Sequence, residues 1–167
     1  MSAVTIRPLQ ASDPIADVTR LLHAAFVPLQ AQGLNFTSAT QTDADTVARA
    51  ALGTCLVAEM DREIVGTLTV IRPGSAKFGP EFDVAGAAVI TQFGVRPDRQ
   101  GAGVGRALLL AAETLGRDWG ASSLVLDTAE PATELIDWYV RDGYAKAGHV
   151  QWKQKTYRSV ILQKEIK

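Results

Sequence analysis

The sequence predicts one α/β domain, built on a mixed sheet of about seven strands flanked by about four helices. Strand-like and helix-like segments alternate along the whole chain of 167 residues. A strand–helix–strand succession in the middle of the chain implies locally parallel strands, whereas hairpin-like pairs on either side imply antiparallel ones. We therefore expect residues 1–167 to form a single domain, long enough to bury a full core.

The first half of the chain contains one strand, two helices and a hairpin. Hydrophobic periodicity predicts a strand at 3–9, a helix at 13–26, a shorter helix at 43–52 and a hairpin at 54–71. Asp13 is a favourable N-cap and Pro14 suits the first helical position. Gly53 ends the second helix, and the hairpin turn falls near Asp61 and Arg62.

The second half follows the same alternation. It predicts a strand at 85–95, a helix from about 104 to 119, a strand at 122–128, a helix at 131–142 and an antiparallel pair at 144–152 and 157–166. Pro131 opens the last helix and Gly143 closes it. The stretches 28–43 and 72–86 are predicted loops because they are polar or rich in Gly and Pro. Residues 153–158 are interpreted as a solvated hairpin turn, and Trp152 as a packing residue.

Composition narrows the class of protein. Hydrophobic residues make up 47% and charged residues 21%, as in ordinary globular domains, and the formal net charge is −1. This balance argues against a nucleic-acid partner and against a basic membrane-surface module. No apolar run approaches the roughly 20 residues that span a bilayer, and no secretory signal is recognised. A single cysteine, Cys55, excludes an internal disulfide, and no His/Cys cluster suggests a metal. These features predict a cytoplasmic protein without a metal ion.

A glycine-rich segment, "RQGAGVGRALL", lies where the helix at 104–119 must begin. Gly101, Gly103 and Gly105 alternate there, although glycine costs a helix about 1 kcal/mol relative to alanine. A helix N-terminus offers unpaired N–H groups to a phosphate, and glycines allow the backbone to approach it closely. A tight turn without a ligand would need only one glycine. A P-loop and a dinucleotide fingerprint both fail, since Arg106 stands where they require other residues.

The same segment resembles the acetyl-CoA signature of the GNAT N-acetyltransferase superfamily, Q/R-x-x-G-x-G/A. Gln100, Gly103 and Gly105 occupy its first, fourth and sixth positions. A second stretch, "LIDWYVRDGYAKAG", is similar to the family's apolar helix that ends in Tyr-x-x-x-Gly-Phe, with Tyr139 and Gly143 in place and Tyr144 replacing Phe. The predicted order of elements also matches the GNAT acyltransferase fold along nearly the whole chain.

The resemblance implies an N-acetyltransferase that uses acetyl-CoA as its acyl-donor substrate. Backbone groups of the glycine segment would grip the pyrophosphate, and the preceding strand would hold the pantetheine arm and polarise the thioester carbonyl. In this chain the implied cofactor-binding residues are Phe93, Gly94, Val95, Gln100, Gly101, Ala102, Gly103, Val104, Gly105 and Arg106. Gly94 is interpreted as the bulge that separates two strands to admit the arm.

Tyr139 is the implied catalytic residue, because its hydroxyl could protonate the leaving thiolate. Its alternative role is packing within the helix at 131–142. The chain departs from the family pattern at Ala132, where members often have Asn. It also lacks the frequent strand Glu that acts as a base through water. The strand offers only Thr91 and Gln92, so no general base is assigned.

The acceptor is predicted to be a primary amine on a small molecule or a peptide, attacking directly in a ternary complex. Three carboxylates, Glu81, Asp83 and Asp127, are candidates for the acceptor side because they lie in a loop or just after a strand near the predicted site. Two rival classes remain, a non-catalytic acyl-CoA-binding module and a nucleotide-binding protein of another fold. The resemblance is also compatible with a homodimer.

Overall fold

The computed structural model describes residues 2–75 and 84–167. Within them the chain forms seven strands, four α-helices and two short 3₁₀ turns at Thr37–Ala39 and Pro97–Arg99. The elements are β1 (Thr5–Pro8), α1 (Ile15–Gln30), α2 (Asp43–Ala50), β2 (Thr54–Met60), β3 (Glu63–Ile71), β4 (Ala87–Val95), α3 (Val104–Asp118), β5 (Ser123–Ala129), α4 (Thr133–Arg141), β6 (Ala145–Val150) and β7 (Ser159–Glu165). This architecture confirms the predicted fold class and element order.

The strands form one mixed sheet in the order β1-β2-β3-β4-β5-β7-β6. Only β4 and β5 run parallel, joined by the crossover helix α3, while every other neighbouring pair is antiparallel. The β2–β3 hairpin turns at Asp61 and Arg62, whose φ values of 52° and 66° suit a type I′ turn.

Two glycines show how closely helices pack on the two faces of the sheet. A Cβ on Gly66 of β3 would lie 3.0 Å from Leu108 of α3. A Cβ on Gly94 of β4 would lie 3.0 Å from Leu22 of α1. Gly94 pairs with Thr67, the neighbour of Gly66, and consecutive strand residues point to opposite faces. Helix α3 therefore covers one face of the sheet and α1 covers the other.

The central parallel pair comes apart after a short stretch. β4 pairs with β5 only from Ala87 to Val89, opposite Ser123 to Val125. Beyond these positions the β5-facing edge of β4 has no strand partner. On its other edge β4 carries a bulge, since Thr67 pairs with Gly94 but Thr69 already pairs with Thr91. The extra residue lies at Gln92 or Phe93, and Gln92 has a φ of 50°.

The sequence interpretation of Gly94 as the bulge is therefore wrong. Gly94 stays in register with Thr67, and the left-handed backbone falls on Gln92 instead. A glycine stands at 94 because α1 leaves no room for a side chain. Gln92 accepts this conformation because its buried amide is fixed by hydrogen bonds. Its Oε1 accepts from Gln41 Nε2 at 2.8 Å, and its Nε2 donates to the Thr46 carbonyl at 3.3 Å.

Element ends differ from the sequence prediction by a few residues at most elements. The predicted N-cap at Asp13 is wrong, because α1 begins at Ile15 with Pro14 as its N-cap, and Asp13 instead forms an ion pair with Arg7.

Two further differences concern α1 and β6. Helix α1 continues to Gln30, past the predicted end at 26, and contains Pro28 in its last turn. A proline there removes one backbone donor without ending the helix, because few turns follow it. Strand β6 stops at Val150 instead of 152, and its register against β7 shifts between Lys146 and Gly148.

A Gly94→Ala substitution should test the close packing of α1 on β4. The added methyl group meets Leu22 Cδ2 at 3.0 Å and Ala25 Cβ at 3.4 Å, so the free energy of unfolding should fall by about 1–3 kcal/mol. Leu22→Val removes the nearest atom. The double variant should therefore lose less than the sum of the two single losses in urea denaturation. Strictly additive losses would contradict this packing.

Candidate active site

A cleft of about 790 Å³ opens where β4 and β5 separate. Ile90–Val95 and residues 126–128 form its two walls, and the glycine segment lies at one end. Trp138 and Tyr139 of α4 form part of its lining. The other end is lined by residues of the α1–α2 connection, of α2, and of the loop between β6 and β7, namely Phe36, Thr37, Ser38, Arg49, Trp152, Lys153, Lys155 and Tyr157.

The glycine segment forms a compact turn before α3. Gly101 and Gly103 have φ values of 81° and 85°, and a Cβ at either position would meet no atom within 4 Å. In the free protein, glycine is therefore favoured at these two positions by the backbone conformation and not by crowding. The space beside both residues is open. In the described part of the chain, no backbone or side-chain acceptor engages the N–H groups of Gly101, Gly103, Val104, Gly105 or Arg106. These donors at the positive end of α3 can bind an anion.

The remaining residues of the signature have distinct positions. The Val104 side chain is 1% exposed and packs in the core, so only its backbone is available to a ligand. Gly105 has a second reason to be glycine, because a Cβ there would lie 3.2 Å from the Trp138 ring. Gln100 donates from Nε2 to the Val95 carbonyl at 3.1 Å and closes the turn after β4. The Arg106 side chain is exposed and forms an ion pair with Asp142 at 3.5 Å.

Tyr139 projects from α4 into an aromatic cluster at the cleft wall. Its ring centroid lies 5.2 Å from that of Trp138, 5.6 Å from Tyr144 and 6.3 Å from Phe93. Its hydroxyl makes no hydrogen bond with any described residue. The neighbouring Tyr144 hydroxyl is fully buried without a partner, a condition that Tyr139 does not share. Burial, and then the negative charge of Asp127, raise the pKa of Tyr139 well above its usual value, so its hydroxyl remains a proton donor.

Asp127 is the one carboxylate among the described residues that line the cleft. It lies on β5 opposite Ile161 of β7 and accepts a hydrogen bond from Trp152 Nε1 at 2.8 Å. Burial raises the pKa of Asp127 above its ordinary value, while the Trp152 donor and the positive charge of Arg49 act in the opposite direction. Trp152 therefore contacts the Asp127 carboxylate directly, in addition to the packing role that the sequence predicted for it.

Arg49 of α2 enters the cleft from the face covered by α1. Its Nη1 donates to Ser38 Oγ at 3.1 Å and to Gln41 Oε1 at 2.6 Å, and its Nη2 donates to Thr91 Oγ1 at 3.0 Å. Burial lowers the pKa of Arg49, and Asp127 is the largest opposing influence. Sequence reasoning missed Arg49, because a lone arginine in a short amphipathic helix gives no local sign of a site.

The loop between β6 and β7 covers the end of the cleft that lies away from the glycine segment, which we call the acceptor end. Lys155 Nζ donates to the Asn35 carbonyl at 2.7 Å and to Thr37 Oγ1 at 2.9 Å. Thr156 Oγ1 donates to the Gly33 carbonyl at 2.7 Å, so the loop is tied to the segment after α1. The expectation of a solvated hairpin turn at 153–158 agrees with the exposure of most of these residues but is wrong for Lys155, which is half-buried, and for Tyr157, which is buried. Lys155 and Tyr157 both line the cleft.

The structure brings several of the residues chosen from sequence to one cleft. Those that line it are Phe93, Gly94, Val95, Gln100, Gly101, Gly105, Asp127 and Tyr139. Ala102, Gly103, Val104 and Arg106 belong to the adjoining turn and the start of α3. Glu81 and Asp83, proposed for the acceptor side, lie outside the described residues.

Residues 2–75 and 84–167 contain neither a membrane-spanning helix nor a metal-binding group of side chains. No helix there combines the length and the apolar character needed to cross a membrane. Within the same residues, no group of three or more His, Cys, Asp or Glu side chains is arranged to hold a metal ion.

Comparison with known proteins identifies the family. The sequence profile of the Acetyltransferase (GNAT) family matches residues 16–144. S-(2-succino)cysteine N-acetyltransferase of Bacillus subtilis is 32% identical over 146 residues, which cover 86% of this chain and 85% of that protein.

Two solved structures show the same fold at low sequence identity. The ribosomal-protein-S18-alanine N-acetyltransferase of Escherichia coli superposes with a TM-score of 0.73 at 16% identity, over 98% of this chain and 94% of that chain. A GNAT family acetyltransferase of Elizabethkingia anophelis, solved with acetyl-CoA bound, gives 0.69 at 18% identity over 97% of both chains. The profile match and the Bacillus relative confirm the resemblance drawn from the glycine segment and the α4 stretch: this acyltransferase belongs to the GNAT acetyltransferase family.

Proposed function

We propose that this protein transfers the acetyl group of acetyl-CoA to the primary amine of a small molecule, by direct attack in a ternary complex. One observation carries the proposal. The unpaired edge of β4 runs from the cleft into the glycine turn, and it faces a tyrosine hydroxyl and a carboxylate in the same cleft. The Bacillus relative, which by its name acetylates S-(2-succino)cysteine, supports a small-molecule acceptor.

The free N–H groups of Gly101 and of residues 103–106 suit the pyrophosphate of the acyl donor. Two of these positions are left-handed glycines beside open space, which a Cβ would otherwise enter. Along Phe93, Gly94 and Val95, the edge of β4 that faces away from β3 has no strand partner among the described residues, and an added strand such as the pantetheine arm with its amides could pair there. The Val95 carbonyl already accepts a hydrogen bond from Gln100 Nε2. Acetyl-CoA supplies an activated thioester, and backbone N–H groups of this edge would polarise its carbonyl.

Tyr139 and Asp127 divide the proton transfers between them in this proposal. The Tyr139 hydroxyl stays protonated at neutral pH and can only donate, which suits protonation of the departing thiolate. Asp127 provides the negative charge that holds an incoming ammonium group and can accept its proton directly or through water. Burial raises the pKa of Asp127, which makes its carboxylate a stronger base than an exposed aspartate.

Gly103→Asn should weaken CoA binding without unfolding the protein. Asparagine tolerates the left-handed conformation, and its Cβ meets nothing within 4 Å in the free protein. The side chain would instead occupy the space of the pyrophosphate, so we expect the Kd for CoA in calorimetric titration to rise at least tenfold, or about 1.4 kcal/mol.

The matched control for this variant is Gly120→Asn. Gly120 follows the other end of α3 and has a φ of 76°, and a Cβ added there would likewise meet no atom within 4 Å. The two variants should lose similar stability, whereas only Gly103→Asn should lose affinity. Equal CoA affinity in both variants would remove the glycine turn from the donor site.

Tyr139→Phe should lower kcat at least tenfold while leaving stability and CoA affinity nearly unchanged. The acceptor is first identified by thiol release from acetyl-CoA with a panel of amines that includes S-(2-succino)cysteine and an alanine-initiated peptide. The substitution keeps the ring contacts with Trp138 and Phe93 and removes only the hydroxyl. Tyr144→Phe is the control, since it removes a buried hydroxyl that has no partner and should keep full kcat. Full turnover by Tyr139→Phe would restrict Tyr139 to packing.

Trp152→Phe should move the acidic limb of the kcat/KM profile to higher pH. The indole N–H stabilises the charged form of Asp127, so its loss raises the pKa of Asp127 further. Because activity requires the ionised carboxylate, it would then be lost at a higher pH as the solution is acidified. A hydrogen bond to a charged group suggests a shift of about one pH unit or more. Trp119→Phe, at the end of α3 and outside the cleft, should leave the limb unchanged. Coincident limbs for all three proteins would exclude Asp127 as the titrating group.

A further inference from the structure

The acceptor end of the cleft holds more positive than negative charge. The charged side chains among its described lining residues are Arg49, Lys153, Lys155 and Asp127, three cations and one carboxylate. An amine acceptor by itself would add another positive charge to this end. An acceptor that also carries a negative group would balance the excess positive charge of these lining residues.

The two inner cations are held by neutral oxygens. Arg49 donates to two hydroxyls and an amide oxygen, and Lys155 donates to a carbonyl and a hydroxyl. Neither forms an ion pair with a described carboxylate, and Asp127 itself is not in ion-pair contact with Arg49. Burial lowers the pKa of Lys155, and the nearby charge of Arg49 lowers it further. Arg49 and Lys155 are thus two partly desolvated cations that repel each other, and Asp127 is the one carboxylate among the described lining residues that offsets their charge.

Arg49 also keeps donors available. A guanidinium has five N–H donors, of which three are engaged by Ser38, Gln41 and Thr91. The Nε donor and one Nη2 donor have no partner among the described residues, and Nε is not among the fully buried atoms that lack one. The planar geometry of these donors matches a carboxylate better than a point charge does. Their fixed neighbours hold the guanidinium in place before a ligand arrives.

We propose, building on the proposed function, that the acceptor carries a carboxylate close to its amine, and that Arg49 and Lys155 bind this carboxylate while Asp127 faces the amine. The acceptor class is therefore an amino acid or a similar amino-carboxylate. Arg49 and Asp127 line the same cleft without forming an ion pair, so a zwitterion could place its carboxylate at Arg49 and its ammonium group at Asp127. The aromatic side chains Phe36 and Tyr157 line the same end and provide an apolar wall for the rest of the molecule.

A ligand series tests the proposal without altering the protein. Wild-type enzyme and saturating acetyl-CoA are assayed by thiol release with L-amino acids, their carboxamides and the corresponding decarboxylated amines. We expect kcat/KM for the acids to exceed that for the amides of the same side chain at least tenfold. The amides contain more free amine at neutral pH, so intrinsic reactivity works against this result. Equal or faster turnover of the amides would overturn the proposal.

Substitutions at Lys155 and Arg49 test whether these two residues cause the preference for acids over amides. Lys155→Gln should raise KM for the acid at least fivefold more than it raises KM for the amide, with KM for acetyl-CoA unchanged. Arg49→Gln should show a larger effect, and Arg49→Lys, which keeps the charge but loses the planar donors, an intermediate one. Arg49 also connects Ser38, Gln41 and Thr91, so each variant is first checked by thermal unfolding, and Lys155→Gln supports the assignment if Arg49→Gln does not fold. Arg20→Gln, on the exposed side of α1 and paired with Asp17, is the control. An unchanged acid preference in Lys155→Gln and Arg49→Lys would overturn the assignment.

A binding measurement separates this inference from the proposed function. The complex with CoA is titrated calorimetrically with N-acetyl-L-methionine and with its carboxamide, which differ only in the charged group. We expect the acid to bind at least tenfold more tightly, and this difference to shrink in Lys155→Gln, which retains Arg49. If no amine is acetylated but the acid still binds selectively, the proposed function fails and the carboxylate site stands. Equal binding of acid and amide overturns the carboxylate site even if amines are acetylated.

Discussion

The separation of β4 from β5 is the constraint on which the rest of the site depends. Three register positions join the two strands, and after them β4 is bent by a bulge at Gln92. A left-handed glutamine is unfavourable by itself, so its conformation must be held by its surroundings. The bonds to Gln41, which precedes α2, and to the Thr46 carbonyl of α2 provide that support. The open edge, the cleft and the approach to the glycine turn all follow from this one bend.

The same buried network also controls the acceptor end. The Gln41 amide nitrogen donates to Gln92, and the Gln41 amide oxygen accepts from Arg49. One side chain therefore connects the bend in β4 with Arg49 at the acceptor end of the cleft. Thr46 extends the network to Thr19 of α1, with 2.7 Å between the two hydroxyls. A change at Gln41 would therefore act on the bend of β4 and on Arg49 together. In the proposed function, this network connects the donor site with the acceptor site before either substrate is bound.

The sequence was informative where a function depends on neighbouring residues. The glycine turn and Tyr139 belong to contiguous stretches whose spacing can be interpreted directly, and the element order followed from periodicity. The acceptor end is different, since Arg49 and Lys155 come from segments more than a hundred positions apart and meet only after folding. Gly94 shows a second limit. A strand glycine can mark a bulge or a close helix, and only the position of Leu22 decides between them.

Both outer strands of the sheet are poor templates for a further strand. β1 has four residues and ends in proline, which has no backbone donor. β6 is interrupted between Lys146 and Gly148, and its exposed residues include a lysine and a histidine. Charged, short or bulged edges resist continuation of hydrogen bonding into another molecule. These features of β1 and β6 therefore disfavour edge-to-edge aggregation of copies of this chain.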